Sequence, residues 1–410
     1  MTDTSAASSN LPGSAGFARL DASPVPTPFK LQVPEQEVTE LRERLARTRF
    51  PDQAPGEPWA YGTDLGFMRN LVELWRSGFD WRAQEARLNA FPQYRVPLAA
   101  IDLHFIHVQG VTPPDGTAPL PLLLSHGWPG SVFEFLEIIP RLTDPGRFGG
   151  DPADAFTVVV PSLPGYGLSF KAGQPRFSVE QIADCFASLM TDVLGYQRFG
   201  AQGGDWGSSI TARLGYAYPE RLAGIHLNMM PLRREAADLD DSDPDQARYR
   251  AELAEWLREE AAYAAIQGTR PQTLAYALTD SPAGLAAWIV EKFRRWSDCG
   301  GNVESVFTLD ELLANISLYW FTSAIGSSFW PYYARAHGPW PIPAGSKVTV
   351  PTGYAEFPHE ILRPPRSMAQ KVFTDIRRWS PMEKGGHFAA LEQPQALAAE
   401  IQAFFRTCRG

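Results

Sequence analysis

Residues 201–209 read AQGGDWGSS, a Gly-x-Asp-x-Gly frame that runs from Gly203 to Gly207. In the related Gly-x-Ser-x-Gly elbow, a sharp strand-to-helix turn exposes a reactive side chain above a sheet. Here the exposed position carries Asp205. A carboxylate at that point is ionised at neutral pH and needs no base to remove a proton first. It is suited to displacing a leaving group at a saturated carbon, which leaves an alkyl ester on the protein. Water must then cleave that ester at the Asp carbonyl. Such a step calls for a general base, an acid that orients the base, and N–H donors for the oxyanion.

Working outward from the elbow, short apolar runs bounded by Gly and Pro recur: PLLLSHG (121–127), AFTVVVPSLPG (155–165), YQRFGAQGG (196–204), LAGIHLNM (222–229), SKVTVPTGY (346–354) and IRRWSPMEKGG (376–386). Separated by helical patterns, they predict buried parallel strands in βαβ units, and so an α/β-hydrolase fold with a mostly parallel central sheet. Residues 232–344 contain no such run. Segments such as SPAGLAAWIVEKF, with Ser281 as cap and Pro282 in the first turn, and DELLANISLYWFTSAI predict a helical lid inserted between two strands. Upstream, EQEVTELRERLARTRFP places Val38, Leu41 and Leu45 on one helical face, and IDLHFIHVQ alternates like a half-buried strand. The expected organisation is a flexible tail (1–26), an N-terminal module (27–118), a first part of the core (119–231), the lid (232–344) and a second part of the core (345–410).

With 410 residues, 44% of them hydrophobic, the chain has enough apolar material for a large core. A formal net charge of −9 argues against nucleic acid or an anionic membrane surface as partner, since both are held by excess Lys and Arg. Cys185, Cys299 and Cys408 are too scattered for a disulfide framework or a metal site, which points to a reducing, cytoplasmic setting with no metal. The first 26 residues lack the apolar stretch of a signal peptide, and no run approaches the roughly 18 apolar residues of a membrane-spanning helix.

The remaining catalytic parts are sought at strand ends. GGHFAALEQP puts His387 at a Gly-rich strand-to-helix turn, where an imidazole can take a proton from water. His104, His107 and His226 lie along strands and read as structural, His126 reads as the holder of the SHGWPGS turn, and His337 and His359 fall in loops without a comparable frame. Glu356 and Glu360 both follow the SKVTVPTGY run, and spacing favours neither as the acid behind His387. The HGxP turn can aim the Trp128 amide at the elbow, with the Trp206 amide as the second oxyanion donor. Nucleophile, acid and base then follow in the chain order of α/β hydrolases.

HGWPGS, GGDWGS, NISLYW, FPHE and GGHFAALEQP together resemble the microsomal-type epoxide hydrolases, including the juvenile hormone enzymes and their bacterial and fungal relatives. The resemblance runs from about residue 27 to the end, and PFKLQVPEQEVTELRERLARTRFPD looks like the start of that family's N-terminal meander. It implies Asp205 as nucleophile, His387 as base, and Glu360 as acid, because Glu360 follows the FP dipeptide 27 residues before the histidine. It also implies two lid tyrosines that protonate the alkoxide, mapped to Tyr263 in AAYAAIQGTRP and Tyr319 in NISLYW. A phenol, with pKa about 10, is a donor at neutral pH. Packing competes with both roles: Tyr319 shares an apolar helix stripe with Leu312 and Ile316, and Tyr263 has Tyr276 as a neighbour in sequence. The resemblance implies no cofactor, and a small apolar epoxide and water as partners, with a homodimer left open. It departs from the animal microsomal members in lacking their N-terminal anchor. Two rivals stand beside it: a haloalkane dehalogenase, which shares the Asp elbow, and a noncatalytic α/β-hydrolase relic that binds a small apolar ligand.

Overall fold

The glycine-bounded runs become strands of one sheet in the computed structural model, which describes residues 24–113 and 116–409. Its strands are β1 (Thr27–Phe29), β2 (Gln93–Leu98), β3 (Ile101–Val108), β4 (Leu120–Ser125), β5 (Phe156–Pro161), β6 (Phe199–Gly203), β7 (Leu222–Leu227), β8 (Thr352–Glu356) and β9 (Ile376–Pro381). Their order across the sheet is β1-β2-β3-β5-β4-β6-β7-β8-β9. The first three strands and the β3–β5 pairing are antiparallel, and every pairing from β5 through β9 is parallel. β6 sits between β4 and β7 and is buried along its whole length. Helices Val179–Ser188 and Asp205–Ala217 pack together beside it, and helix Pro394–Arg406 packs on β7, β8 and β9. Covered in this way, β5, β6 and β7 are buried along their whole length and their sequences do not alternate, whereas the edge strand β9 is only partly buried.

The N-terminal region adds β1 to β3 to the same sheet and then braces the insertion. Helix Glu35–Ala46 buries Val38, Leu41 and Leu45. Helix Leu65–Ser77 starts where the Asp64 carboxylate accepts the Phe67 amide and stops at Gly78. From that second helix the Trp75 indole donates to Ser317 Oγ in the insertion at 2.9 Å, and Thr63 Oγ1 donates to the Ala287 carbonyl at 2.8 Å. The insertion is helical, as expected, with Pro282–Trp296 capped by Ser281, followed by Leu309–Thr322 and Trp330–His337.

Three expectations change. β3 is not half-buried: Leu103, His104, Phe105 and Ile106 are all enclosed, because the strand lies inside the sheet between β2 and β5. The SKVTV segment pairs only through a bridge from Val348 to Phe373, and β8 begins at Thr352, after Pro351, which has no N–H for a ladder. His337 ends a helix and does not lie in a loop. The tail expected at residues 1–26 lies outside the described residues apart from 24–26. Among the described residues no helix is long and apolar enough to cross a membrane.

Candidate active site

β6 ends at Gly203, and the helix Asp205–Ala217 begins two residues later. Asp205 turns the corner with φ of +50°, a left-handed conformation that a non-glycine residue adopts at a cost. The corner closes because its neighbours have no Cβ. A Cβ on Gly207 would collide with the Ser125 carbonyl, and one on Gly127 would collide with the Asp205 carboxylate itself. Across this gap the Trp128 amide donates to Asp205 Oδ1 at 2.8 Å. The carboxylate also stands at the positive end of its helix, beside the Trp206 amide.

On the other side of Asp205, His387 Nε2 lies 3.3 Å from Oδ2, and His387 Nδ1 lies 2.6 Å from Glu360 Oε1. Glu360 Oε1 also accepts the Ile361 amide at 2.7 Å, and the His387 amide donates to the Trp296 carbonyl at 2.9 Å. Burial alone would pull His387 down, yet the carboxylates of Glu360 and Asp205 overcome it and hold the ring well above the usual histidine range. The two glutamates left open by spacing part here. Glu356 accepts the Trp379 indole at 2.9 Å, whereas Glu360 is buried against the histidine.

A cavity of about 440 Å³ opens over Asp205, walled by Trp206, Met230, Trp256 and Leu257 among others. Tyr263 and Tyr332 both line it. The Tyr263 ring stacks on the Trp128 indole at 5.2 Å, and the Tyr332 ring meets it edge-on at 5.7 Å. The Tyr332 hydroxyl is buried without a hydrogen bond of normal geometry among the described residues. Burial, reinforced by the Asp205 charge, pushes both phenols up, so each keeps its proton at neutral pH. Tyr276, the neighbour weighed for Tyr263, is 74% exposed and turned away.

Tyr319, expected from the sequence to stand at the site, does not line this cavity; the tyrosine that lines it with Tyr263 is Tyr332. Helix Leu309–Thr322 packs on the HGWPGS turn: the Asn315 amide donates to the Pro129 carbonyl and the Tyr319 hydroxyl donates to the Gly130 carbonyl, both at 2.8 Å. The Tyr319 side chain is 1% exposed, with its donor already committed. Tyr332 escaped the sequence reading. Its signal was an aromatic pair behind Pro331 at the start of a short helix, a pattern that packing explains equally well.

Two family descriptions match the chain: "Epoxide hydrolase N terminus" over residues 26–135 and "alpha/beta hydrolase fold" over residues 121–277. A Stigmatella aurantiaca protein that bears an epoxide hydrolase name is 44% identical over 93% of this chain and 85% of its own length. Epoxide hydrolase 1 of Oryctolagus cuniculus is 36% identical over 92% of this chain and 88% of its own. The chain belongs to the epoxide hydrolase family. The crystal structure of juvenile hormone epoxide hydrolase from the silkworm Bombyx mori superimposes with a TM-score of 0.84 at 31% identity, covering 95% of this chain and 96% of that one. In this epoxide hydrolase the SHGWPGS histidine holds its turn, as the sequence suggested. His126 Nε2 accepts the Leu163 amide, which leaves Nδ1 to donate to the Gly127 carbonyl, and burial keeps the ring neutral by lowering its pKa to about 4.

Proposed function

We propose that this epoxide hydrolase opens its substrate through a covalent ester on Asp205. The observation that carries the reading is an ionisable carboxylate on a strained elbow, with His387 3.3 Å away and two protonated phenols lining the same apolar cavity. Asp205 Oδ2 attacks one oxirane carbon, the ring C–O bond breaks, and the electron pair left on oxygen takes a proton from Tyr263 or Tyr332. Formation of the ester removes the negative charge that holds the His387 proton in place; that proton passes by way of solvent to the phenolate, which restores the phenol and leaves the ring a competent base for the second step. Water gives a proton to His387 Nε2 and attacks the Asp205 carbonyl carbon. The Trp128 amide, which already meets Oδ1, and the Trp206 amide bind the oxyanion. Glu360 keeps the imidazole oriented and offsets its charge. Collapse expels the second diol oxygen, which takes the proton of the hydroxyl just added, so that a vicinal diol leaves, the carboxylate is restored and His387 is again protonated.

In this reading residues 119–231 and 345–410 supply nucleophile, acid and base, residues 232–344 form the lid that supplies the proton donors, and residues 27–118 brace that lid. The mainly apolar lining fits a small apolar epoxide.

The test is a single turnover in heavy-oxygen water with excess enzyme. The expected first diol carries an oxygen from Asp205 and no solvent label, and Asp205→Ala forms no diol. His387→Gln accumulates the ester, seen as an intact-protein mass increased by one substrate. Solvent label in that first diol would overturn the covalent route.

A further inference from the structure

Glu134 is a half-buried carboxyl group for which the two-step chemistry above has no use. It sits in the short turn Val132–Phe135, directly after the HGWPGS loop. Gly130 makes room for it, because a Cβ there would overlap Glu134 Oε1. The residue is half-buried, and the desolvation of its carboxyl group pushes its pKa up to about 8, with His387 opposing and Asp205 adding to the shift. No lysine or arginine forms an ion pair with it among the described residues. The one hydrogen bond that favours its charged form comes from the Ser131 amide. A carboxyl group desolvated this far without an ion pair lowers stability unless its oxygens find other partners.

Those oxygens have a destination. A second cavity lies under the elbow, lined by Glu134, Asp205, His387, Gly127 and Asn228. It has about 20 Å³ of room for a water's centre. One water needs roughly 10–15 Å³ on that measure and two to four polar partners. The space is separate from the large apolar cavity, which shares Asp205 with it but is not lined by His387 or Glu134.

We infer that this small cavity is the seat of the water that cleaves the ester, and that Glu134 holds that water against His387 and the Asp205 carbonyl carbon. The inference rests on the covalent reading of the reaction. In the step, one water proton passes to His387 Nε2 while the other stays hydrogen-bonded to a Glu134 oxygen. The water's electron pair forms the new C–O bond at Asp205. Either oxygen of the carboxyl group can accept the water's hydrogen, whereas an amide in its place has a single acceptor oxygen and an NH2 group that only donates. Glu134 has no part in ring opening, where the attacking atom is Asp205 Oδ2 and the proton comes from the lid.

The experiment separates the two half-reactions. Glu134→Gln and Glu134→Asp are mixed rapidly with a styrene-type epoxide, following ester formation by tryptophan fluorescence and by quenched-flow mass measurement, with folding checked by circular dichroism. The expected result for Glu134→Gln is ester formation within about 2-fold of the parent and ester hydrolysis slower by about 10- to 100-fold, as for a misplaced reactant. KM and kcat then fall together and the ester becomes the main species at steady state. Glu134→Asp, which keeps the carboxyl at shorter reach, recovers part of the hydrolysis rate. Unchanged ester decay in Glu134→Gln, or equal slowing of both steps in both variants, would overturn the inference. Absence of any ester in both the parent protein and His387→Gln would instead sink the covalent reading beneath it.

Discussion

At the scale of single residues, the site divides into what polypeptide spacing reveals and what only packing reveals. Asp205 and His387 were legible because glycines at fixed offsets mark turns where a backbone must approach another closely, and few other uses require them. Glu360 was half legible. Two glutamates follow the same apolar run, and a linear chain does not say which one folds back on the histidine and which one pairs with Trp379. Tyr319 and Tyr332 were the hard case: both are aromatic, both are helical, and the difference is whether the hydroxyl meets a carbonyl or a cavity. This distinction yields a sharp test. Tyr263→Phe and Tyr332→Phe should each slow ester formation by roughly 10- to 100-fold while leaving ester hydrolysis nearly unchanged. Tyr319→Phe should leave both steps within a few-fold and lower stability by about 1 kcal/mol, because the Gly130 carbonyl loses its donor. Stopped-flow kinetics and denaturant melts on the three variants check this directly.

At the scale of elements, the sheet was read well wherever strands are buried on both faces, since continuous apolar runs follow from that environment. The errors lie where position within the sheet overrides local pattern. β3 alternates in sequence yet is enclosed, with His104 held between Ser162 and Gln93 at 2.9 and 3.0 Å. The elbow is the element most sensitive to mutation. Gly207→Ala would press a methyl group into the Ser125 carbonyl on β4, backbone against backbone, where no side chain can yield. We expect a loss of about 1–3 kcal/mol or more and a displaced Asp205. Urea unfolding together with the rate of ester formation measures both, and an unchanged melting curve would mean that the β4–helix contact is looser than described.

At the scale of the whole molecule, buried ionisable groups set the pH dependence of stability. Burial lowers His104 to about 3 and His126 and His226 to about 4, and lowers His107 in the same sense. The unfolded chain binds protons at these rings near pH 6.5 and the folded chain does not, so their contribution is complete above about 6.5 and is lost as pH falls toward 4. Glu134 and Glu392 work the other way. Burial raises them to about 8 and about 7, so their contribution is complete below the unfolded value near 4.5 and is lost as pH rises through 7 and 8. His387, raised by its two carboxylates, also loses stabilising protonation as pH climbs above 6.5. Between 4.5 and 6.5 the lowered histidines outnumber the two glutamates, so stability should rise with pH there and peak near 6.5. Chemical denaturation at pH 4.5, 6.5 and 9 tests the shape. His226→Phe should flatten the acid limb, since both nitrogens of that ring lack partners among the described residues.

Trp128 joins these scales in one residue: its amide meets the Asp205 carboxylate, and its indole carries the Tyr263 ring. In the proposed mechanism, attack and protonation are therefore gauged from a common post. Any excursion that lifts the insertion off that indole removes the acid while the carboxylate stays in place. A reactive electrophile arriving at such a moment would meet a nucleophile with no proton to trap its leaving oxygen, and would drift away unreacted. Under the proposed mechanism, seating of the phenol would then act as a safety interlock against alkylation of a half-assembled centre.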